Sequence, residues 1–221
     1  MTALNLISDV VVPLKKSDRV ALALRMMDEN RVSHLPVVED DHYLGLISEH
    51  ELLAAEDDDN LVGRHCTALP KYYIPVHEHF YLALKTMCEH KLTLLPVLDE
   101  NNEYIGVITG EILLSQLADA MSVDNPGGII ILDVHQNDYS LVEIARIVES
   151  NDTKILSTAV KTHPDSTVMQ VTLKLNRINI EPVIQTFNRF QYDIHAYYGE
   201  NEKDEELLRE RYNALMSFLK I

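Results

Sequence analysis

Only two cysteines occur in 221 residues, Cys66 and Cys88, too far apart for a CxxC redox motif and too few for a cysteine metal site or a disulfide framework. A reduced, cytoplasmic setting is the expectation. Glycine occurs seven times, and the sequence has no Walker loop, dinucleotide fingerprint or Gly-x-Ser-x-Gly elbow. No apolar run approaches the ~18–20 residues of a membrane span. Residues 1–9 have no basic stretch before an apolar core, so no secretory signal is expected. Basic residues are scarce: 19 Lys+Arg against 35 Asp+Glu give a net charge of −16. Residues 1–124 hold nine basic and 21 acidic residues, and residues 125–221 hold ten and 14. Such a surface repels phosphate backbones and anionic lipid, so neither nucleic acid nor a membrane is an expected partner. What remains, 46% hydrophobic residues, suffices for one large core or two small ones.

The first half repeats itself. Residues 20–38 read VALALRMMDENRVSHLPVV and residues 80–98 read FYLALKTMCEHKLTLLPVL. At an offset of 60, Leu22-Ala23-Leu24, Met27, Glu29 and Leu35-Pro36-Val37 recur as Leu82-Ala83-Leu84, Met87, Glu89 and Leu95-Pro96-Val97. At an offset of 61, Tyr43-Leu44-Gly45-Leu46-Ile47-Ser48 answers Tyr104-Ile105-Gly106-Val107-Ile108-Thr109. Two copies imply two similar units packed with approximate two-fold symmetry. Each reads as helix, strand, turn, strand, helix. Ala21, Leu24, Met27 and Asp28 stand at helical spacing after Ser17-Asp18 as candidate caps. Pro36 suits a strand start or edge, residues 39–42 form a polar turn, and residues 43–47 form the second strand. Gly45 and Gly106 sit where strand interiors disfavour glycine, and two readings stand: close approach of a neighbouring segment, or of a ligand.

These motifs resemble a tandem pair of CBS domains, a Bateman module, over residues 1–62 and 63–122. The resemblance implies a non-catalytic regulatory protein holding an adenosine-type ligand (AMP, ADP, ATP or S-adenosylmethionine) between the repeats, with no other cofactor. In nucleotide-binding members a Ser/Thr contacts phosphate, and an Asp three residues on accepts the ribose hydroxyls. Here the first copy has Ser48 and Glu51, one methylene longer. The second has Thr109 and Ile112, and Ile112 can accept no hydrogen bond. By the same resemblance His34 and Pro36 line the first cleft, and Leu94 and Pro96 correspond to them in the second. For His34 a backbone-satisfied, half-buried imidazole is the competing reading. Lys15, Lys16, Arg19, Arg25, Arg31, Lys71, Lys85 and Lys91 supply the cations of the two repeats.

Asn125-Pro126-Gly127-Gly128 marks a boundary. Beyond it strands are expected over residues 129–134, 155–160, 167–175 and 192–198, and helices over 139–150 and 181–190. The overall class is therefore α+β / α/β, with βαββαβ order, the ferredoxin-like plait, in the second half. That domain, residues 127–200, resembles an ACT domain, which implies dimerisation and amino-acid binding at a loop that here holds Asn137, Asp138 and Tyr139. The loop lacks the glycine typical of amino-acid-binding members, and Asp138 reads equally as a helix cap. Residues 201–221 form an amphipathic helix in which Leu208, Tyr212, Leu215 and Leu219 share a stripe, packed on the protein itself or forming a dimer seam.

Three constellations look chemical and are read as structural. His77-Glu78-His79 aligns with the helix start at Ser17-Asp18-Arg19, so no metal is expected. Asp57-Asp58-Asp59 lacks the glycine and distal Glu of a calcium loop. Cys88, aligned with Asp28, reads as a partly exposed thiol. The reading is a non-enzymatic homodimer that signals to an unknown protein partner. The alternatives are an interaction module with empty clefts and an amino-acid sensor.

Overall fold

The computed structural model describes residues 1–8, 10–54, 60–162 and 166–199. The expected C-terminal helix and the Asp57-Asp58-Asp59 segment lie outside them. The chain divides into two compact units, residues 1–116 and residues 117 onward.

In the first unit each repeat folds as its pattern dictates. The first contains α1 (Val20–Asn30), β1 (His34–Glu39), β2 (His42–Ser48) and α2 (Glu49–Leu53); the second contains β3 (Ile74–Pro75), α3 (Phe80–His90), β4 (Leu94–Leu98), β5 (Tyr104–Thr109) and α4 (Gly110–Ala120). The face of α1 that packs inward is Val20, Ala23 and Met27, while Ala21 and Asp28 are exposed. The exposure of Asp28 agrees with the exposed thiol at the aligned Cys88, a charged carboxylate being turned to water. Nor do Ser17 and Asp18 cap α1. Arg19 is the N-cap, and Asp18 Oδ2 accepts the Lys15 N–H at 2.7 Å, closing the preceding turn.

Both first helices end alike, in left-handed residues with φ 53°, Arg31 and Lys91. The Val32 and Leu92 N–H groups then reach back to the carbonyls of Met27 and Met87, both at 2.9 Å, closing the last turn. The β1–β2 hairpin turns at Asp40 and Asp41, both with positive φ, matching the right-handed twist of the strands. Pro36 lies inside β1 opposite Leu46. Its carbonyl accepts the Leu14 N–H at 2.8 Å, so its ring nitrogen faces that side too and β2 loses no donor.

The repeats exchange their flanking segments. Thr2 bridges to His79 and Ser8 to Val107. The Ala3 N–H donates to Glu78 O at 2.8 Å, and Ala3 and Leu6 are buried. The N-terminal residues thus complete the second repeat. Reciprocally, the Val20 N–H donates to Asn60 O at 2.9 Å and the Leu46 N–H to Pro70 O at 2.9 Å, so the stretch between the repeats completes the first. This settles the two glycines. A Cβ on Gly45 would lie 2.4 Å from Leu69 Cβ, and one on Gly106 would lie 2.5 Å from Ile7 Cγ2, so a neighbouring segment makes the close approach in both.

The second unit contains β6 (Ile129–His135), α5 (Leu141–Glu149), β7 (Ile155–Thr162), β8 (Val168–Leu175), α6 (Glu181–Arg189) and β9 (Asp193–Tyr198). Its sheet runs β7-β8-β6-β9, all neighbours antiparallel, which is the ferredoxin-like order. Alternation puts Ile130, Leu132, Val134, Met169, Val171, Leu173 and Leu175 on the face covered by α5 and α6. Phe187 of α6 is fully buried at the centre. Ser140, not Asp138, caps α5: its Oγ accepts the Glu143 N–H at 3.3 Å, because Asp138 is held in a short 3-10 turn (Gln136–Asp138) ahead of it.

Candidate functional site

The first unit holds a cleft built from the N-terminal segment, the end of the first repeat's first helix and the start of the second repeat's last helix. The cleft at the start of α4 has a volume of about 580 Å³. It is lined by Ser8, Val10 and Val11 from the N-terminal segment, Asn30, Arg31 and Val32 from the end of α1, and Thr93 and Thr109 through Ile112 from the second repeat. Of the expected residues, Thr109 and Ile112 therefore stand together. Thr109 Oγ1 accepts the Ile112 N–H at 3.4 Å, a long helix-capping contact.

At the corresponding start of α2, Ser48 and Glu51 are also brought together, and to each other. The Ser48 N–H and Oγ–H both donate to Glu51 Oε2, at 2.8 and 2.7 Å, and Ser48 Oγ accepts the Glu51 N–H at 3.2 Å. This is a capping box, legible in Ser48-Glu49-His50-Glu51 and overlooked in the sequence reading. It satisfies the first turn of α2 and commits one carboxylate oxygen. By the repeat offset, His90 corresponds to Asn30. Tyr72, two residues past Pro70, answers Val10, two past Ser8. The Tyr72 ring stacks on His90 with centroids 4.1 Å apart, and Tyr43 O–H donates to Tyr72 O at 2.8 Å. Where the α4 cleft has a valine and an asparagine, the corresponding positions hold two stacked rings.

Leu94 is fully buried, and Pro36 and Pro96 are buried within their strands, so all three contribute packing. His34 is half-buried and spans the repeats. The Ser33 N–H donates to Thr93 Oγ1 at 2.9 Å, and His34 Nδ1 lies 3.1 Å from that hydroxyl and accepts the Thr93 N–H at 3.4 Å. With Thr93 donating to Nδ1, the imidazole proton belongs on Nε2. Burial pushes the His34 pKa down from its ordinary 6.5, against the opposing pull of Glu51. As pH falls below about 6.5 the unfolded chain then binds a proton that the folded chain refuses, so stability is lost from there down to the folded pKa. Wild-type protein is expected to lose more melting temperature between pH 7.5 and 5.5 than His34→Gln; equal losses would exclude this contribution.

The loop of the second unit offers a different surface. Asn137 and Asp138 are exposed, and Tyr139 packs on the core. Asp138 joins Asp133, Glu143, Tyr192 and Asp193 around a pocket of about 310 Å³. Burial, with help from the charge and hydrogen bond of Glu143 and the charge of Asp138, pushes the Tyr192 hydroxyl up to about 12. Four carboxylates there oppose the carboxylate of an amino acid. His77 pairs with Glu100 at 2.9 Å, while His79 caps α3 through Nδ1 and the Tyr81 N–H at 3.3 Å. Among the described residues no group of three or more His, Cys, Asp or Glu is placed to hold a metal ion, and no helix is long and apolar enough to cross a membrane. Cys66 is half-buried, its thiol donating to Val62 O at 3.2 Å and its pKa raised by burial; Cys88 is exposed.

The family model of the CBS domain matches residues 5–58 and 70–119. The two matches fall on the two repeats, which form a tandem pair of CBS domains, and the second unit adds a ferredoxin-like fold. An uncharacterized protein of Methanocaldococcus jannaschii is 33% identical over 87 residues, covering 38% of this chain and 29% of that protein. An inosine-5′-monophosphate dehydrogenase of Korarchaeum cryptofilum is 31% identical over 101 residues, covering 46% and 21%. The chain spans less than a third of the length of these curated relatives. Among solved structures, a CBS domain pair/ACT domain protein from Thermotoga maritima is similar in fold, with TM-score 0.50 and 23% identity over 55% of this chain and 99% of that one.

Proposed function

We propose that this protein is a non-catalytic regulatory module, cytoplasmic and homodimeric, whose CBS pair takes an adenosine-type ligand and signals to a protein partner. The observation that carries this reading is the α4 cleft. It is a cavity of about 580 Å³ bounded by both repeats, so a ligand within it bears on how the repeats pack. A ligand acts only through its differential affinity for two such packings. By residue type alone Ser48 and Glu51 are the stronger pair, since Glu51 keeps an acceptor that Ile112 lacks. The open cleft, with Thr109 at its helix start, supports the second repeat's site at least as strongly, since Glu51 is engaged with Ser48.

The test is thermal unfolding of the full chain with AMP, ADP, ATP and S-adenosylmethionine. A ligand at 100 times its Kd adds ~2.7 kcal/mol, which moves the melting midpoint of a chain of this size by roughly 5–10 °C. A shift with one or more of them is expected. The same midpoint with all four would leave the interaction module as the function and turn the search to a protein partner.

A further inference from the structure

The sheet face of the second unit that is turned away from α5 and α6 carries one step more, which rests on the reading of the protein as a homodimer. An antiparallel sheet wetted on one side alternates apolar and polar residues. Central strand β6 does not: Ile129-Ile130-Ile131-Leu132 is apolar on both sides. Ile131 points away from the core and is half-buried. Strand register sets Thr172, Ala159 and Ala196 in its row, all small and uncharged. A centre of that composition marks a contact surface. Two residues along β6, Asp133 forms the next row with Gln170, Lys161 and Asp193. The cation stands on the β7 edge and an acid on the β9 edge, at opposite ends of that row. Both are exposed, and among the described residues neither makes an ion pair. Asp133 lies between them, with His195 Nδ1 3.0 Å from its carboxylate. In the row on the other side of Ile131, the Ser157 hydroxyl donates to Met121 O at 2.8 Å and the Lys174 ammonium to Gly127 O at 3.0 Å. The chain itself closes that end, which leaves the Ile131 and Asp133 rows as the contact.

We propose that this face packs on the same face of a second copy, about a two-fold axis parallel to the strands and between β6 and β8. That axis lays β7 over the partner's β9 and β8 over the partner's β6, with each row opposite itself. Lys161 then meets the partner's Asp193, once on each side, and Thr172 meets the partner's Ile131 at the centre, the two sheets about 10 Å apart. An axis across the strands would instead lay β7 on β7, where no acid stands opposite Lys161.

The experiment is sedimentation equilibrium of the full chain over a concentration series. The wild type is expected to be a dimer. Lys161→Glu and Asp193→Lys should each weaken it about ten-fold or more, since each turns two attractive pairs into repulsive ones. The double variant, with the charges exchanged, should recover the wild-type affinity, which loss of folding could not produce. A wild-type dimer that both single reversals leave intact would overturn this face and keep the homodimer. Weakening by the single reversals without recovery in the double variant would overturn the pairing as well. A wild-type monomer at every concentration would overturn both the face and the homodimer.

Discussion

Gly45→Ala is expected to lower the stability of the first unit by about 2–4 kcal/mol and its melting midpoint by roughly 10 °C. Two costs combine. Gly45 has φ +152°, a backbone region that side chains rarely adopt and that costs ~1–3 kcal/mol for other residues. Its new methyl would also lie 2.4 Å from Leu69 Cβ and 3.0 Å from Pro70 O, an overpacking of similar size. The segment cannot simply retreat. The Leu46 N–H holds Pro70 O at 2.9 Å, and the Tyr43 O–H holds Tyr72 O at 2.8 Å. Gly106→Ala should cost less than Gly45→Ala, because its worst contact is the Ile7 Cγ2 methyl, one bond further from the backbone than Leu69 Cβ. Circular dichroism melts of the two variants provide the check. A midpoint for Gly45→Ala equal to wild type would show that residues 69–72 are not held against β2.

Phe187→Ala should cost about 3–5 kcal/mol, the largest loss expected from a side-chain truncation in the second unit. Phe187 is fully buried between α6 and the sheet, edge-on to Tyr192 with centroids 5.4 Å apart. Among the described residues fourteen buried ones form this unit's core, too few to close around a hole the size of a benzyl group. Set against a typical domain stability of ~5–15 kcal/mol, the loss is a large share of the total. Urea unfolding of the full chain measures it. Phe190→Ala, at a position 56% exposed, is the matched control and should fall within ~0.5 kcal/mol of wild type. Similar midpoints for the two variants would contradict the burial assigned to Phe187.

The extent of what could be read in advance follows from where each signal lies. The repeat, both hairpins and the βαββαβ order depend on apolar spacing within one element and on the turn residues beside it, so they are local. The helix caps are also local, yet two were misassigned. Ser17-Asp18 and Asp138 have capping chemistry, but Asp18 closes a turn onto Lys15 and Asp138 sits in a 3-10 turn, so Arg19 and Ser140 occupy the cap positions. Composition alone cannot choose between adjacent candidates. The capping box of Ser48 and Glu51 is written in the residues, a serine three positions ahead of a glutamate at a helix start.

From its residues alone this chain determined a duplicated helix–strand–turn–strand–helix unit, a second α+β domain, and the loss of an acceptor at Ile112, since each is a matter of side-chain type at a fixed spacing. Tertiary structure alone decided that residues 2–8 complete the second repeat, that the stretch before β3 completes the first, and that Tyr72 meets His90 while Arg31 borders an open cleft. Those segments are short and irregular, with no periodicity to announce a partner. They are drawn in by backbone groups elsewhere: the N–H groups of Val107 and Leu46 are buried and need acceptors, which Ser8 O and Pro70 O supply at 3.3 and 2.9 Å. The α4 cleft arises beside the crossing of Ser8 with Val107, parts of the chain far apart in sequence.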